Sequence, residues 1–515
     1  MSSERYNAAV EFIDRNVNEG HGGKVAFVDR TRQLTYRQLQ DRAARVGPAL
    51  ELLGVRREER VPLLMLDTVD FPVVFWGAIR AGIVPVPLNT LLGADQYRYM
   101  LEDSRAGLVI VSEALLPVLR EALGGMTDAV TVVVAGGTEA PAGTLLLSGL
   151  LDAAGPSEAA VDTCADDVAF WLYSSGSTGM PKGVKHVHSS PAATARAFGQ
   201  GVINVRPGDV VFSAAKLFFA YGLGNSLTFP MSVGATSILM DERPTPQSVF
   251  TTMRREQPTV FFGVPTLFAA ILADESCTPE AGSQRLRLCV SAGEALPEHI
   301  GRAWEERFGV EIIDGLGSTE MLHIFVSNRP GSVRYGTSGV PVPGYEAKLL
   351  NEEGAQVGAD EIGELIVCGP SAAEGYWNQR EKSRHTFEGS WTRTGDKYIR
   401  DADGYYTYCG RTDDMFKVSG IWVSPFEVES ALASHPAVLE AAVVPQEDAD
   451  RLLKPKAYIV LKEGSHASAA LDQSLKEHVK AAIGMWKYPR WIEVVDSLPR
   501  TATGKIQRFK LRKGK

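Results

Sequence analysis

The stretch "YSSGSTGMPKGVKHVH", Tyr173 to His188, decides how the rest of the chain is read. Serine, threonine and glycine crowd around one lysine, directly after the apolar run "VAFWLY" (168–173). Small residues of this kind build a poor core. They do expose successive backbone N–H groups, which in a glycine-rich turn form a concave anion site, and Lys182 adds a mobile positive charge. Because the loop directly follows a strand-like run, an anchored cradle is favoured over a flexible surface loop. It is not the common nucleoside-triphosphatase loop, which needs G-x-x-x-x-G-K followed by Ser or Thr. Here Pro181 precedes Lys182 and Gly183 follows it, so the hydroxyl that would bind magnesium is missing from that position.

Outward from the loop, helical and strand-like segments alternate. "LTYRQLQDRAARVGPALELLG" (34–54) has helical spacing and stops at Gly54, and "ERVPLLML" (59–66) follows as a strand. "AGLVIVS", "AVTVVVAG", "DVAFWLYSS", "PTVFFGVP" and "LRLCVSAG" are short apolar runs bounded by turn residues. This interleaving predicts an α/β layering with largely parallel sheets. From about Gly354 the texture changes to alternating strands such as "GELIVCG" and "DGYYTYCGR". After "GRTDDMFKVSG" comes a final unit of about a hundred residues with its own helices, the size of a small independent domain. The expected boundary lies at Asp413, dividing the chain into 1–412 and 413–515.

The bulk properties exclude several classes. A chain of 515 residues predicts more than one domain, and its 44% hydrophobic and 22% charged residues are ordinary for a globular protein. A net charge of −9 argues against nucleic acid as a partner, while a small site can still be locally positive. Five scattered cysteines without a C-x-x-C pair suggest free thiols rather than disulfides or structural zinc. The N-terminal stretch is charged and amphipathic, unlike a signal peptide. The most apolar stretch, 71–88, is broken by Arg80 and three prolines, so it reads as a buried helix, a turn at Gly82 and a strand. No membrane association and a cytoplasmic location are expected.

Five further motifs follow in order: "SAGEALP" (291–297), "DGLGSTE" (314–320), "WTRTGD" (391–396), "GRTDDMFKVSG" (410–420) and "LPRTATGKIQR" (498–508). Read alone, Glu320 is a hard carboxylate suited to magnesium, or a helix-start glutamate near a positive dipole end. Asp396 can accept both hydroxyls of a ribose, and Arg411 offers a rigid donor fork, or the two form a surface salt bridge. Lys505 lies in a tail with six basic residues among the last eleven, a pattern that is usually solvated. Together with the opening loop, the six motifs resemble the adenylate-forming (ANL) superfamily of acyl-CoA synthetases, adenylation domains and luciferases, over nearly all of the chain after residue 170.

The resemblance implies an α/β fold: a large N-terminal domain of stacked α/β subdomains plus a β-rich subdomain, and a small mobile C-terminal α+β domain. It implies ATP, Mg2+ and coenzyme A as cofactors. Ser174, Ser175, Gly176, Thr178 and Lys182 would cradle phosphates. Gly293, Glu294, Asp314, Gly315 and Thr319 would meet the rest of the nucleotide, with Asp396 and Arg411 on the ribose and Glu320 on the metal. Lys505 would bridge carboxylate and α-phosphate during adenylation, drawing together two anions that repel. Thioester formation then needs that space, so the C-terminal domain would swing about Asp413 while Lys417, Ser419, Gly420 and Trp422 line the thiol tunnel.

The acyl pocket is expected from Ala220, Tyr221, Gly317, His323 and Ile324. Amino-acid-activating relatives carry an aspartate where this chain has Phe219, Ala220 and Tyr221, and a buried ammonium would be left unpaired here. "KLFFAYGLGN" (216–225) and "EMLHIF" (320–325) look most like the benzoate-CoA ligase group, with a flat aromatic slot for a ring. His323 reads equally as a partner for the reacting carboxylate or as a buried, satisfied histidine. The expected function is therefore an AMP-forming aryl-CoA ligase for an aromatic acid, within aromatic acid degradation. The competing readings are a medium-chain or other acyl-CoA synthetase, an enzyme loading a carrier protein, and a non-catalytic nucleotide-binding regulator. A homodimer is the expected assembly, and a lysine acetyltransferase acting on Lys505 the expected regulatory partner.

Overall fold

The computed structural model describes residues 5–124, 129–174, 180–412, 414–418, 421–449, 451–484, 487–500 and 506–512. The helix expected after residue 34 runs from Tyr36 to Leu52 and starts on a capping box between Thr35 and Gln38. Reciprocal bonds of this kind satisfy two donors that the first helical turn leaves open. The apolar stretch 71–88 forms the fully buried helix Asp70–Arg80, a turn at Gly82 (φ +70°) and the strand Val84–Pro87. No helix among the described residues is long and apolar enough to cross a membrane.

Two sheets carry the N-terminal part. One is wholly parallel, in the order 84–87, 60–64, 108–112, 131–135 and 145–146. The other has nine strands, in the order 340–341, 324–327, 312–317, 288–292, 260–263, 210–213, 236–238, 25–28 and 33–35. Its central pairs are parallel and its outer pairs antiparallel. The parallel α/β expectation holds for these layers. One core cluster runs through both, from Ala8 to Tyr406, and includes Phe75, Trp76, Phe170 and Phe198.

The glycine-rich loop departs from that expectation. Val168–Ser174 and Lys182–Val187 form an antiparallel hairpin, with the short strand Gly375–Tyr376 on its outer edge. The loop therefore joins two strands instead of leading from a parallel strand into a helix. Ser174 and Lys182 are partners across the ladder, which fixes both at the mouth of the loop. The β-rich part begins before Gly354, with Glu346–Leu350, and continues through Gly363–Cys368, Trp391–Arg400 and Tyr406–Arg411, all antiparallel.

After residue 415 the chain makes a separate core. Phe416, Val418, Val423, Val428, Leu432, Val443, Ile459, Leu475 and Val479 pack together. Around them lie the hairpin 438–447/453–461, a parallel third strand Trp491–Val494 and the helices Pro425–Ala433 and Ala469–Ile483.

The buried helix Asp70–Arg80 crosses Tyr36–Leu52 at Gly77, where a Cβ would lie 2.5 Å from Val46 Cβ and 2.7 Å from the Ala43 carbonyl oxygen. Only a residue without a side chain permits that approach. Gly77→Ala is expected to lower stability by about 1–3 kcal/mol through overpacking, read as a drop in urea midpoint. An unchanged midpoint would show that the two helices are not held this closely.

Candidate active site

Four side chains from four segments converge at the mouth of the hairpin. Ser174 ends one strand and Lys182 begins the other. Tyr376 comes from the edge strand, where it pairs with Val184. Glu320 follows the strand Ile312–Gly317 of the nine-stranded sheet. Its oxygen Oε1 accepts from Tyr376 Oη at 2.9 Å and from Ser174 Oγ at 3.4 Å, and lies 3.5 Å from Lys182 Nζ. Lys182 also donates to Tyr376 Oη at 3.1 Å, with its ammonium 4.2 Å from the centre of the same ring. Burial and the neighbouring Glu320 both push the Tyr376 phenol above its ordinary range, so it stays a donor at neutral pH. Lys182 and Glu320 are each about one-sixth exposed. Removing one member of a pair buried to this degree leaves an uncompensated charge, at a cost of about 3–5 kcal/mol.

The turn that carries Glu320 is strained. Leu322 holds φ +64°, unusual for a residue with a side chain, while the N–H groups of Leu322 and His323 bond back to Thr319 and Met321. Backbone in this region costs about 1–3 kcal/mol and tends to mark functional turns. Gly317 lies where the chain doubles back: a Cβ would sit 2.7 Å from the His323 carbonyl oxygen. At Gly315 it would meet Ile324 at 2.8 Å. Close strand pairing therefore accounts for both glycines.

Beside this cluster, Asp396 and Arg411 are partners across the Trp391–Arg400/Tyr406–Arg411 ladder, with Arg411 Nη1 3.0 Å from Asp396 Oδ1. Asp396 first and Glu320 less strongly hold the guanidinium in its charged form, so the pair lies within electrostatic reach of the four-residue cluster. Two cations thus face two carboxylates around one opening. Glu320 and Ser174 offer the hard oxygens that magnesium prefers, but no group of three His, Cys, Asp or Glu gathers among the described residues. Such an ion would need phosphate oxygens to complete its shell, as magnesium sites with one or two carboxylates do.

The expected acyl-pocket residues come together. The Tyr221 and His323 rings lie 5.5 Å apart, and Ile324 pairs with Gly317. Ala220 starts a short buried helix. The Tyr221 hydroxyl reaches the carbonyls of Gly263 and Val290 at 3.2 and 3.0 Å. His323 is 2% exposed and packs among Phe198, Tyr221 and Phe229. Its Nε2 is engaged by Asn225 Oδ1 at 3.0 Å and the Tyr221 carbonyl at 3.3 Å, while Nδ1 has no partner. Two acceptors at Nε2 place the proton there. The ring is thus buried and bonded at Nε2, with Nδ1 unpartnered.

Asp314 lies within the strand Ile312–Gly317. Its side chain is 4% exposed, Oδ1 is enclosed without a partner, and burial pushes the carboxyl well above the usual range. Gly293 takes φ +95° at an exposed turn, with Glu294 half-buried beside it, and Thr319 is half-buried. Lys417 lies 3.5 Å from Glu352, and Trp422 is its partner across the hairpin. Ser175, Gly176, Thr178, Asp413, Ser419, Gly420 and Lys505 lie outside the described residues.

Residues 13–377 match the AMP-binding enzyme family, and 427–505 match the AMP-binding enzyme C-terminal domain. The chain belongs to the AMP-binding enzyme family. It is 61% identical to the 4-hydroxybenzoate–CoA/benzoate–CoA ligase of Rhodopseudomonas palustris, over 99% of this chain and 95% of that protein. It is 56% identical to the benzoate–CoA ligase of Thauera aromatica, over 99% and 96%. A crystal structure of a benzoate CoA ligase from Burkholderia xenovorans superposes with a TM-score of 0.91 at 50% identity, covering 99% of this chain and all of that one.

Two features of this AMP-binding enzyme escaped the sequence. Tyr376 sits in a stretch, "GYWN" (375–378), that reads only as strand texture, and its importance comes from a pairing almost two hundred residues away. The neutral state of the buried histidines was equally hidden. Burial lowers His186 and His188 to about 4 and His323 to about 3, from an ordinary 6.5. His188 Nδ1 accepts from the Ala8 N–H at 3.1 Å, a bond that only the unprotonated nitrogen makes. His186 stacks on Phe170 with both nitrogens unpartnered.

The unfolded chain takes up protons at these rings below pH 6.5, where the native state does not, so stability falls as pH drops from 6.5 towards 4. At pH 5 each ring contributes about 2 kcal/mol of lost stability, roughly 6 kcal/mol for the three. Thermal midpoints measured from pH 7.5 to 5 are expected to fall steeply, and His186→Leu should flatten the slope by about a third. An identical slope in the variant would mean that His186 titrates normally.

Proposed function

We propose that this AMP-binding enzyme is an ATP-dependent aryl-CoA ligase acting on benzoate or a close ring-substituted benzoate. The observation that carries the reading is the full-length identity of 61% and 56% to two proteins named for that reaction. The site chemistry is compatible with it. In the first step a carboxylate oxygen attacks the α-phosphorus of ATP, and the bond to pyrophosphate breaks. In the second, a thiol sulfur attacks the acyl carbonyl and AMP leaves with the electron pair.

Each side chain then has a task. Lys182 and the loop residues Ser174, Ser175, Gly176 and Thr178 hold the outgoing phosphates. When phosphate oxygens reach Lys182, its ammonium exchanges Glu320 for a stronger anionic partner, and Glu320 is freed. Glu320 with Ser174 would hold Mg2+ together with the phosphates, and that ion supplies charge neutralisation. Tyr376 keeps the Glu320 carboxylate oriented through the exchange. Asp396 and Arg411 bind the ribose. Tyr221, His323, Ile324 and Gly317 wall the aromatic ring, and the absence of a carboxylate at 219–221 disfavours substrates with an ammonium. With Nε2 already bonded and the ring neutral, His323 serves shape and not proton transfer.

Lys505 is proposed to bridge carboxylate and α-phosphate in the first step and to withdraw for the second, by rotation of residues 413–515 about Asp413 against 1–412. Lys417, Ser419, Gly420 and Trp422 would then meet the thiol arm. A cytoplasmic location, a homodimer and acetylation of Lys505 as an off switch belong to the same proposal.

A panel of ring and chain carboxylic acids, scored by AMP release with ATP and coenzyme A, tests the reading. Benzoate is expected to exceed hexanoate in kcat/KM by about a hundredfold, the scale of a few misfitted methylenes. Product masses should show benzoyl-CoA. Lys505→Ala is expected to cut benzoate-dependent pyrophosphate–ATP exchange by about a hundredfold or more, while thioester formation from supplied benzoyl-adenylate survives. Preference for aliphatic acids, or equal loss of both half-reactions, would contradict the assignment.

A further inference from the structure

Lys397 is a buried cation that the scheme above leaves unused. Among the described residues, one arginine and one lysine are strongly buried, Arg80 at 7% and Lys397 at 6% exposure. Arg80 has a carboxylate, Asp14, 2.5 Å away. The Lys397 ammonium has neither an ion pair nor a hydrogen bond among the described residues. Its contact is the face of Trp422, 4.6 Å from Nζ to the ring centre. Lys417 brings a second ammonium to the same indole, also at 4.6 Å. A cation over an indole gains about 0.5–2 kcal/mol, less than the several kcal/mol that desolvating an ammonium costs. Two like charges on one ring add repulsion. Lys417 has Glu352 3.5 Å away, whereas Lys397 has no anion among the described residues.

The strand tells which anion. Asp396 and Lys397 are consecutive in Trp391–Arg400, so their side chains leave on opposite faces. Asp396 faces Arg411, on the side of Glu320 and Lys182. Lys397 faces the hairpin 416–423, where Trp422 and Lys417 are paired. An anion that meets Lys397 therefore arrives from the hairpin side and is not the phosphate chain held by Lys182. Of the reactants, the thiol carrier is the other phosphorylated one.

We infer that Lys397 and Lys417 form a phosphate-binding subsite for the thiol co-substrate, with the Trp422 indole covering it until the phosphate arrives. The inference rests on the ligase reading above and adds to it the group that recognises the charged end of the acceptor. No covalent step is involved: the phosphate displaces the indole from two ammoniums.

The test compares two acceptors, coenzyme A and pantetheine, which carries the same thiol without phosphates. For Lys397→Met, kcat/KM is expected to fall about tenfold or more with coenzyme A and less than twofold with pantetheine, the size of one lost charge contact. Lys397→Arg should restore most of the preference. Because the substitution removes an unpaired buried charge, the thermal midpoint of Lys397→Met should equal or exceed that of the parent. Equal loss with both thiols would make Lys397 a structural residue and overturn the inference, as would an unchanged ratio. If the parent protein forms no thioester with either thiol, the ligase reading itself fails. If it forms both and the variant behaves identically, this subsite alone fails.

Discussion

One carboxylate oxygen holds the site in order. Glu320 Oε1 is approached by a phenol, a hydroxyl and an ammonium from three separate elements, all within 3.5 Å. Each partner is placed by a constraint that has nothing to do with the others. Ladder register sets Ser174 opposite Lys182, an edge strand delivers Tyr376, and a strained turn with Leu322 at positive φ projects Glu320. The result is a charge-neutral cluster that stays intact without ligand. Under the proposed function it would trade one ion pair for another when phosphates enter. An exchange of this kind costs little desolvation at the moment of binding, because the charges are already out of water and already oriented.

The surrounding fold serves that oxygen. The strand before Glu320 is the last parallel strand on that side of the nine-stranded sheet, and tight pairing at Gly315 and Gly317 sets where its chain reverses. The antiparallel hairpin stands beside this sheet and carries the loop. The β-rich part supplies Asp396 and Arg411 as partners on one rung of its ladder. Beyond it a separate hydrophobic core begins at Phe416, and the Lys397 ammonium meets that core's first hairpin at the Trp422 indole. Nucleotide chemistry and thiol chemistry would thus use opposite faces of the same strand.

Much of this was legible in the sequence. Periodicity located the helix at 36–52, the buried helix at 70–80 and most strands within a few residues, because local apolar patterning fixes them. Residue chemistry at the motifs marked Lys182, Glu320, Asp396 and Arg411, which the structure brings to one opening. The antiparallel pairing of the loop strands was not legible: an apolar run of seven residues reads the same in a parallel or an antiparallel sheet. Tyr376 was invisible because its significance lies in a distant register, and the burial of Asp314 was hidden because a carboxylate in a motif says nothing about burial. The Nε2 partners of His323, Asn225 and the Tyr221 carbonyl, were likewise hidden in the sequence. Pairing and burial are tertiary facts, and those are the places where reading the chain residue by residue stops.

The central claim is that phosphate displaces Glu320 from Lys182 while Tyr376 stays. The most direct measurement is a crystal structure with ATP and Mg2+ bound. It should show Lys182 Nζ on a phosphate oxygen and beyond 4 Å from Glu320. Glu320 should face the cation, with Tyr376 Oη still within hydrogen-bonding distance of its carboxylate. A nucleotide seated with the Lys182–Glu320 pair intact, or phosphates bound away from both, would contradict the account.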